Sequence, residues 1–308
     1  MLWFLLITAV ALLITSSIYL FVVACVRKKE LPWLDEQQMK KTALGKFYPY
    51  IAKSHQWILD HNAKDIYITS RDNLKLHALW IPAESAKGTV LLAHGYRSTA
   101  LLDYYAAFSL YHQRGFNLLI PDQRSHGKSE GRYITFGVKE SEDMCLWIHY
   151  HNEHYGEFPI LLSGISMGAT TMLYLADRKL PSNVRGIIAD CGFTSPRDII
   201  SSVFHSVTHL PAGPSVLLSD ILTGVFAGFR LNERDTRESL SCSRYPVLLI
   251  HGKDDGFVPC RMTEENYACC NSNKHILLVE NADHGMSFVK EPDEYIKAVD
   301  AFLVSYVY

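Results

Sequence analysis

A serine between two glycines, in residues 164–168 (GISMG), offers the clearest chemistry in the chain. An apolar run typical of a buried strand, residues 158–162, precedes Ser166, and a helix-forming run, residues 169–176, follows it. In this context G-x-S-x-G forms a nucleophile elbow, which holds the serine hydroxyl above a sheet edge. Glycines two positions before and after the serine let neighbouring backbone pass closely. The alternative is a chance motif in a glycine-rich loop, which the flanking strand and helix disfavour.

A serine hydroxyl needs a base to remove its proton, and His284 is the candidate base. It lies in residues 281–285 (NADHG), after the last predicted strand. In catalytic triads that follow a nucleophile elbow, the serine comes first along the chain, the acid second and the histidine last, so a histidine near the C-terminus is expected. The alternative is a surface histidine in a turn. Asp255, in residues 251–259 (HGKDDGFVP), is the first candidate for the acid that holds the imidazole in the correct tautomer.

Two other carboxylates compete with Asp255 for the role of the acid. Asp190 stands at the end of the sixth predicted strand, where a carboxylate can reach the same histidine. Asp254 is adjacent to Asp255, but neighbouring side chains of one turn normally point apart. We rank Asp255 first, Asp190 second and Asp254 third.

The oxyanion formed when a carbonyl is attacked needs two preorganised N–H donors. Met167 follows the serine and begins the next helix, whose dipole also favours negative charge. The second donor is expected in residues 93–98 (AHGYRS), after the third strand, where the Tyr96 amide is the best candidate. His94 in the same loop is expected to shape the turn through side-chain hydrogen bonds.

A segment of mixed charge, residues 121–131 (PDQRSHGKSEG), follows the fourth strand. We expect Asp122, Arg124 and His126 to brace the loops around the serine, with substrate binding as the alternative. The chain has neither an H-E-x-x-H motif nor a C-x-x-C spacing among its seven cysteines, so no metal and no organic cofactor is predicted. Basic residues (30) nearly balance acidic ones (32), which argues against a nucleic-acid partner.

The first 26 residues contain no charged residue, and a helix of this length crosses a bilayer of roughly 30 Å hydrocarbon thickness. Basic residues follow at positions 27–29 and none precedes the run. A secretory signal peptide has the opposite arrangement. We therefore expect a single-pass anchor in the cell membrane, with the following domain on the cytoplasmic side. The alternative is a bacterial lipobox at residues 22–25, with Cys25 as a lipidated anchor.

Short apolar runs alternate with helical stretches along most of the remaining chain. Continuous hydrophobic strands are typical of a parallel sheet covered on both faces, so an α/β fold with a doubly wound, mostly parallel sheet is predicted. An antiparallel hairpin, residues 65–70 and 74–80, precedes it. The predicted strands lie at residues 89–93, 117–120, 160–162, 184–189, 247–250 and 275–279. The predicted helices lie at residues 101–114, 139–155, 167–179, 260–271 and 288–305.

The chain divides into three predicted parts. Residues 1–26 form the transmembrane anchor, residues 27–64 a polar helical connector, and residues 65–308 the α/β domain. Residues 195–240 of that domain contain no strand pattern, and we expect them to form a short helical cap over the site. The alternative is that these helices pack on the domain without covering the site.

These motifs together resemble the α/β-hydrolase fold serine hydrolases over residues 60–308. Their landmarks occur in family order: H-G-Y-R at 94–97, D-x-R-x-H-G-x-S at 122–129, G-I-S-M-G at 164–168, D-x-G-F-T-S at 190–195, H-G-K-D-D-x-x-V-P at 251–259 and D-H-G at 283–285. With its anchor and short cap, the chain is similar to membrane-anchored Bem46-like and prolyl-oligopeptidase-like hydrolases of bacteria. The resemblance implies an α/β-hydrolase fold and acyl-hydrolase activity carried by Ser166, Asp255 and His284. Arg97 and Ser98 stand where a second glycine is usual, so the second oxyanion donor is less defined.

The expected function is cleavage of an ester or related acyl bond through an acyl-serine intermediate. The apolar cap favours a small, hydrophobic acyl substrate. Serine peptidase or aminopeptidase-like amide hydrolysis is the alternative, since Asp220, Glu233 and Glu238 in the cap can bind a free amine. A non-catalytic binding protein on this fold is a third possibility, disfavoured because the triad is complete. The sequence specifies no oligomeric state.

Overall fold

One sheet of eight strands organises the part of the chain that the structure describes. The computed structural model describes residues 1–28, 37, 41, 45, 47–104 and 107–308. The strands are β1 (Lys64–Thr69), β2 (Lys75–Ile81), β3 (Gly88–Ala93), β4 (Phe116–Pro121), β5 (Ile160–Ile165), β6 (Val184–Asp190), β7 (Val247–Gly252) and β8 (Lys274–Val279). Their order is β1-β2-β4-β3-β5-β6-β7-β8, with β2 antiparallel to both neighbours and β3 to β8 parallel.

Helices cover both faces of this sheet. They are α1 (Leu2–Cys25), α2 (Tyr48–Asp60), α3 (Ala100–Asp103), α4 (Phe108–Gln113), α5 (Val138–Tyr155), α6 (Met167–Leu173), α7 (Pro196–Thr208), α8 (Gly213–Leu222), α9 (Thr236–Ser241), α10 (Arg261–Cys269), α11 (Ser287–Lys290) and α12 (Pro292–Tyr306), with a π-helix at Thr223–Ala227. On one face, α5 and α6 pack through Trp147 and Met172. On the other, α2, α4 and α12 pack through Ile58, Phe108 and Phe302.

Alternate residues of the central strands enter these two cores. Leu91 and Leu162 join the α5–α6 side, whereas Val90 and Leu161 join the α12 side. All four side chains are at most 1% exposed. Because successive strand residues point to opposite faces, burial on both faces requires an unbroken apolar run. The predicted sheet is therefore confirmed, including the antiparallel hairpin at its edge.

Three predicted helices are divided or end more than two residues early in the structure. The helix predicted at residues 288–305 is divided at Glu291 into α11 and α12. Residues 101–114 form the separate helices α3 and α4, and residues 105–106 lie outside the described part of the chain. The helix predicted at 167–179 is α-helical only to Leu173. Its next carbonyls are used elsewhere: that of Tyr174 accepts from the Arg234 guanidinium (2.7 Å), and that of Ala176 from the Arg244 amide (2.9 Å). Tertiary hydrogen bonds end this helix early.

The predicted connector, residues 27–64, is only partly described. Its described portion contains α2, whose apolar face packs on the sheet, whereas residues 29–36, 38–40, 42–44 and 46 lie outside the described residues. Between β6 and β7 the fully described segment 191–246 contains helices and no strand. Its buried residues Ile199, Val216 and Phe229 share one cluster with Met167, so the helices lie above the start of α6.

The second half of α1 packs directly on these helices. The Ser219 hydroxyl donates to the carbonyl of Ser17 (3.0 Å), and the hydroxyls of Ser16 and Ser215 lie 2.9 Å apart. Phe21 and Cys25 are buried, whereas most of the other α1 side chains are exposed. Beyond the helix, Val26 forms a bridge with Tyr133. The apolar N-terminal segment is thus joined to the α/β domain by its own contacts.

Helix α1 is long and apolar enough to cross a membrane. Residues Trp3–Cys25 have a mean hydropathy of 2.4, and 11% of the most apolar window is buried. The 24 residues of α1 rise about 36 Å, which exceeds the hydrocarbon thickness of a bilayer. Among the described residues it is the one helix with this property.

Candidate active site

Ser166 occupies a sharp turn between the last residue of β5 and the first residue of α6. Its backbone has φ +56° and ψ −119°, a conformation that residues with a side chain rarely adopt. Its amide donates to the carbonyl of Asp190 (2.8 Å), and its side chain is 5% exposed. Local strain of this kind persists only where the surroundings enforce it, as at functional sites.

The two glycines of the motif are required by close backbone contacts. A Cβ on Gly164 would collide with the carbonyl of Gly168, and a Cβ on Gly168 would collide with the carbonyl of Ala93. Backbone atoms cannot move aside as a flexible side chain can. The elbow therefore depends on glycine at both positions.

We expect Gly168→Ala to destabilise the fold by about 1–3 kcal/mol and to reduce activity, because the added methyl displaces the elbow from β3. Thermal unfolding and ester turnover measure the two effects. Gly213→Ala is the matched control, since a Cβ there has nothing within 4 Å, and it is expected to change neither quantity. Equal behaviour of the two variants would contradict the steric argument.

Three side chains distant in sequence converge at the elbow. The Nε2 atom of His284 lies 2.9 Å from the Ser166 hydroxyl. Its Nδ1 atom lies 2.7 Å from Oδ2 of Asp255. His284 is carried by the loop after β8, and Asp255 by the loop after β7. Both loops leave the carboxyl end of the parallel sheet, where the elbow also lies.

Asp255 is held as a carboxylate. Its side chain is 0% exposed, and its Oδ1 atom accepts the amides of Phe257 and Val258 (2.8 Å each). His251 Nε2 lies 3.0 Å from Oδ2. Burial opposes ionisation, but the hydrogen bonds from His251 and His284 outweigh it and hold the pKa of Asp255 well below its usual range. His251 is a second partner of Asp255 that no sequence motif indicates.

The environment of His284 favours its charged form. Burial lowers its pKa, but Cys191 and the Asp255 carboxylate beside it raise the pKa well above the ordinary value. Burial also raises the pKa of the Cys191 thiol to about 11, so this thiol is neutral at pH 7. We therefore attribute the favourable charge interaction to Asp255. The ring of Phe257 meets the imidazole edge-on at 5.2 Å.

Asp190 and Asp254 do not contact the imidazole. Asp190 is 3% exposed, and its Oδ1 atom accepts from the Ser287 hydroxyl at 3.5 Å. Burial raises the pKa of Asp190 to about 6. Asp254 is exposed, and its amide donates to Ala282. The geometry thus pairs His284 with Asp255, the carboxylate ranked first from the sequence.

The loop after β3 lies against the elbow. A Cβ on Gly95 would stand 3.2 Å from the Cβ of Ser166. Within the described part of the chain, the amides of Tyr96 and Met167 donate to no protein acceptor. The loop is held by Asp103, whose carboxylate accepts the Gly95 amide (2.5 Å) and the Ser98 hydroxyl (2.6 Å). The sequence offered no signal for this role of Asp103.

Buried polar contacts brace the surrounding loops, as the sequence predicted. His94 accepts the Gln123 amide (3.0 Å), and His126 accepts the Arg97 amide (3.0 Å). The Arg124 guanidinium makes two bonds of 2.7 Å to the buried Asp143 carboxylate. The Arg97 amide is thereby engaged, and Arg97 itself has φ +52° where a glycine was expected.

A cavity of about 160 Å³ adjoins Ser166. Apart from the serine and Tyr96, its walls are apolar. The cap contributes Ile199, Ile200 and Val203, and the N-terminal helix contributes Leu20, Val23 and Ala24. The sequence predicts a cap here but not α1, because a helix facing lipid and a helix facing protein have the same apolar composition.

One group of side chains among the described residues has the geometry of a metal site. Ligand atoms of Cys191, Asp255 and His284 lie within 4.8 Å of one another. Two of them already bind each other, and the thiol is protonated. His205 and His209 have the H-x-x-x-H spacing of zinc ligands, but no third described ligand joins them.

The chain matches a family model and several known proteins. The family model for serine aminopeptidases of the S33 type matches residues 84–241, just over half of the chain. The Bacillus subtilis protein YqkD is 30% identical over 218 residues, 70% of each chain. YfhR of Escherichia coli K12 is 25% identical over 252 residues, 79% of this chain and 81% of that protein.

A solved structure with a similar fold is the Pyrococcus furiosus esterase Pf2001. It is 25% identical and has a TM-score of 0.66, covering 81% of this chain and 93% of the esterase. This likeness confirms the predicted α/β-hydrolase fold. Together the matches show that the chain belongs to the serine aminopeptidase S33 family of α/β hydrolases.

Proposed function

We propose that the protein is a serine hydrolase that cleaves esters of hydrophobic acyl groups through an acyl-Ser166 intermediate. The observation that carries this proposal is the hydrogen-bonded chain from Ser166 through His284 to Asp255, with distances of 2.9 Å and 2.7 Å. In this geometry one imidazole can take the proton of the attacking hydroxyl while a buried carboxylate stabilises the resulting imidazolium.

The proposed reaction has two halves. In the first, His284 Nε2 takes the Ser166 proton as Oγ attacks the ester carbonyl, and the tetrahedral intermediate then expels the alcohol, which takes the proton from His284. In the second, His284 removes a proton from water, which attacks the acyl-enzyme. Collapse releases the carboxylic acid and returns the proton to Ser166. Asp255 keeps the imidazole oriented throughout.

The amides of Tyr96 and Met167 are the proposed oxyanion donors. Met167 is the first residue of α6, where a helix amide has no intrahelical acceptor and the dipole favours negative charge. Tyr96 follows Gly95, which approaches the Ser166 side chain. Both amides lack a protein acceptor among the described residues, so a developing oxyanion can accept from them.

An ester substrate is favoured over an aminoacyl substrate by the lining of the cavity. No carboxylate of the described residues lines it, so none of them pairs there with a free amine. Asp220 accepts from Arg230 (3.0 Å) and from the Leu231 amide (2.6 Å), and Glu233 accepts the Arg230 amide (2.9 Å). Two of the three cap acids that supported an aminopeptidase, Asp220 and Glu233, therefore stabilise the cap itself, and the third, Glu238, is exposed and does not line the cavity. Because the matching family model is that of the S33 serine aminopeptidases, amide hydrolysis is the second candidate function.

A substrate panel tests this assignment. Full-length protein in detergent is assayed with p-nitrophenyl esters and with aminoacyl p-nitroanilides, alongside Ser166→Ala. We expect ester turnover that disappears in the variant. Preferred cleavage of the anilides would favour the aminopeptidase. Absence of both turnover and fluorophosphonate labelling would indicate a binding protein on a hydrolase fold.

The activity is expected to rise with pH through a midpoint above the ordinary histidine pKa of about 6.5. His284 acts as a base only when neutral, and its pKa is raised, so it loses its proton at a higher pH than usual. The measurement is kcat/KM against pH for the free enzyme. Asp255→Asn should lower the midpoint. A wild-type midpoint below 6.5 would contradict the assigned environment.

We also propose that α1 anchors the protein in a membrane as a single span. Arg27 and Lys28 follow the helix, and the excess of basic residues favours the cytoplasmic side for the domain. Protease protection of the domain in inverted and right-side-out vesicles tests the orientation. Digestion from the outside of intact cells would overturn it.

A further inference from the structure

Helix α1 is both the candidate membrane span and a wall of the candidate site. The residues that it places around the cavity beside Ser166 are Leu20, Val23 and Ala24. Hydrogen bonds fix the last turn of the helix there. The Tyr96 hydroxyl donates to the carbonyls of Val23 (3.0 Å) and Ala24 (2.8 Å), and Arg97 donates to the carbonyls of Val23 (2.7 Å) and Val26 (2.8 Å). The loop with the proposed oxyanion donor thus holds the end of α1.

A larger groove lies next to this cavity along α1. It has a volume of about 790 Å³ and lies between α1 and the cap. Leu20, Val23 and Val203 line both spaces. The groove extends from these shared residues to Leu12 on α1 and to Val207 on the cap. The shared residues therefore place the groove directly beside the cavity that adjoins Ser166, along the side of the helix.

Four residues that line this groove carry a hydroxyl (Ser16, Tyr19, Thr208 and Ser215), and three of these hydroxyls already bond within the protein. The hydroxyls of Ser16 and Ser215 bond each other at 2.9 Å, and the Thr208 hydroxyl donates to the carbonyl of Phe204 (2.7 Å). No charged side chain lines the groove among the described residues. Its chemistry suits a hydrocarbon chain, which gains from burial and needs no polar partner.

The length of the groove matches one leaflet of a bilayer. Leu12 and Val23 are eleven positions apart, which corresponds to about 17 Å along a helix. Half of a hydrocarbon core of roughly 30 Å is nearly the same distance. An acyl chain that lies parallel to α1 therefore runs in its natural direction within one leaflet.

The outer surface of the cap is apolar beside the same helix. Six large side chains there are between 46% and 74% exposed: Val207, Leu210, Leu217, Ile221, Val225 and Phe226. A patch of this kind, continuous with a candidate span through the Ser16 and Ser219 contacts, suits the boundary between headgroups and acyl chains. The groove then opens towards lipid.

We propose, resting on the hydrolase function above, that the substrate is an ester of a long acyl chain taken from the membrane. The chain lies in the groove between α1 and α7, and its ester group is presented to Ser166. Short soluble esters fill only the inner cavity. The N-terminal helix is thus a substrate-binding element as well as an anchor.

Chain-length preference in groove variants tests this proposal. Full-length protein in mixed micelles is assayed with p-nitrophenyl palmitate and p-nitrophenyl butyrate. Leu13→Trp fills the groove, and Ile14→Trp places the same ring at the neighbouring residue outside it. We expect Leu13→Trp to lower the palmitate-to-butyrate ratio of kcat/KM by about tenfold or more. Ile14→Trp should leave the ratio unchanged.

A second measurement locates the chain itself. A hexadecyl phosphonate p-nitrophenyl ester with a terminal diazirine is reacted with the wild type, irradiated and mapped by mass spectrometry. Cross-links within residues 12–16 or 203–214 support the proposal. Cross-links elsewhere, an unchanged ratio in Leu13→Trp, or a homodimer that this variant disrupts without changing the ratio would overturn it. Hydrolysis of butyrate without reaction of the hexadecyl phosphonate would also overturn the proposal, whereas failure of both reactions would overturn the proposed function instead.

Discussion

Replacing Ser166 with alanine is expected to lower kcat for a p-nitrophenyl ester by about 10⁴-fold or more. The substitution removes the nucleophile and the hydrogen-bond partner of His284 Nε2, while the fold keeps its glycines and its sheet. Steady-state turnover gives the loss, and the unchanged melting temperature shows that the fold is intact.

The neighbouring Ser163 supplies the matched control. It lies on the same strand and contacts the Tyr111 hydroxyl (3.3 Å), away from His284. Ser163→Ala is expected to keep kcat within about tenfold of the wild type, because a neutral hydrogen bond contributes only about 1 kcal/mol. Comparable losses in the two variants would point to a structural effect and against a nucleophilic Ser166.

The acid of the triad is tested by two asparagine substitutions. Asp255→Asn is expected to lower kcat by about 10⁴-fold, because an amide cannot hold the imidazole in the required tautomer or stabilise its charge. Asp190→Asn is expected to cost less than about tenfold. Asp190 already has its pKa raised to about 6 by burial, and an amide can still accept from Ser287.

The comparison uses the same substrate at a pH above the midpoint of the wild-type profile. Urea unfolding of both variants separates catalytic loss from lost stability. Equal losses in kcat for Asp255→Asn and Asp190→Asn, at equal stability, would contradict the assignment of the acid.

The central sheet and the three converging loops were predictable from the sequence. Strands such as β3 and β7 are buried on both faces, and they appear as unbroken apolar runs bounded by glycine-rich turns. Ser166, His284 and Asp255 each follow such a run. Because parallel strands share one carboxyl edge, their order along the chain was enough to bring them together.

Tertiary hydrogen bonds account for what the sequence did not predict. The early end of α6 depends on Arg234 and Arg244, which lie 60 and 68 residues further along the chain than the carbonyls they bind. His251 and Asp103 support the site through contacts that no local pattern signals. The packing of α1 on the cap could not be predicted from the sequence either, because the hydrophobicity of a helix does not specify whether lipid or protein surrounds it.

The central claim, that Ser166 is the nucleophile, is tested most directly by mass spectrometry of the protein after reaction with a fluorophosphonate. The account predicts one covalent adduct, mapped to Ser166 within residues 164–168, whose formation slows sharply in His284→Ala. An adduct on another residue, or an unmodified Ser166 in enzyme that the reagent has fully inactivated, would contradict it.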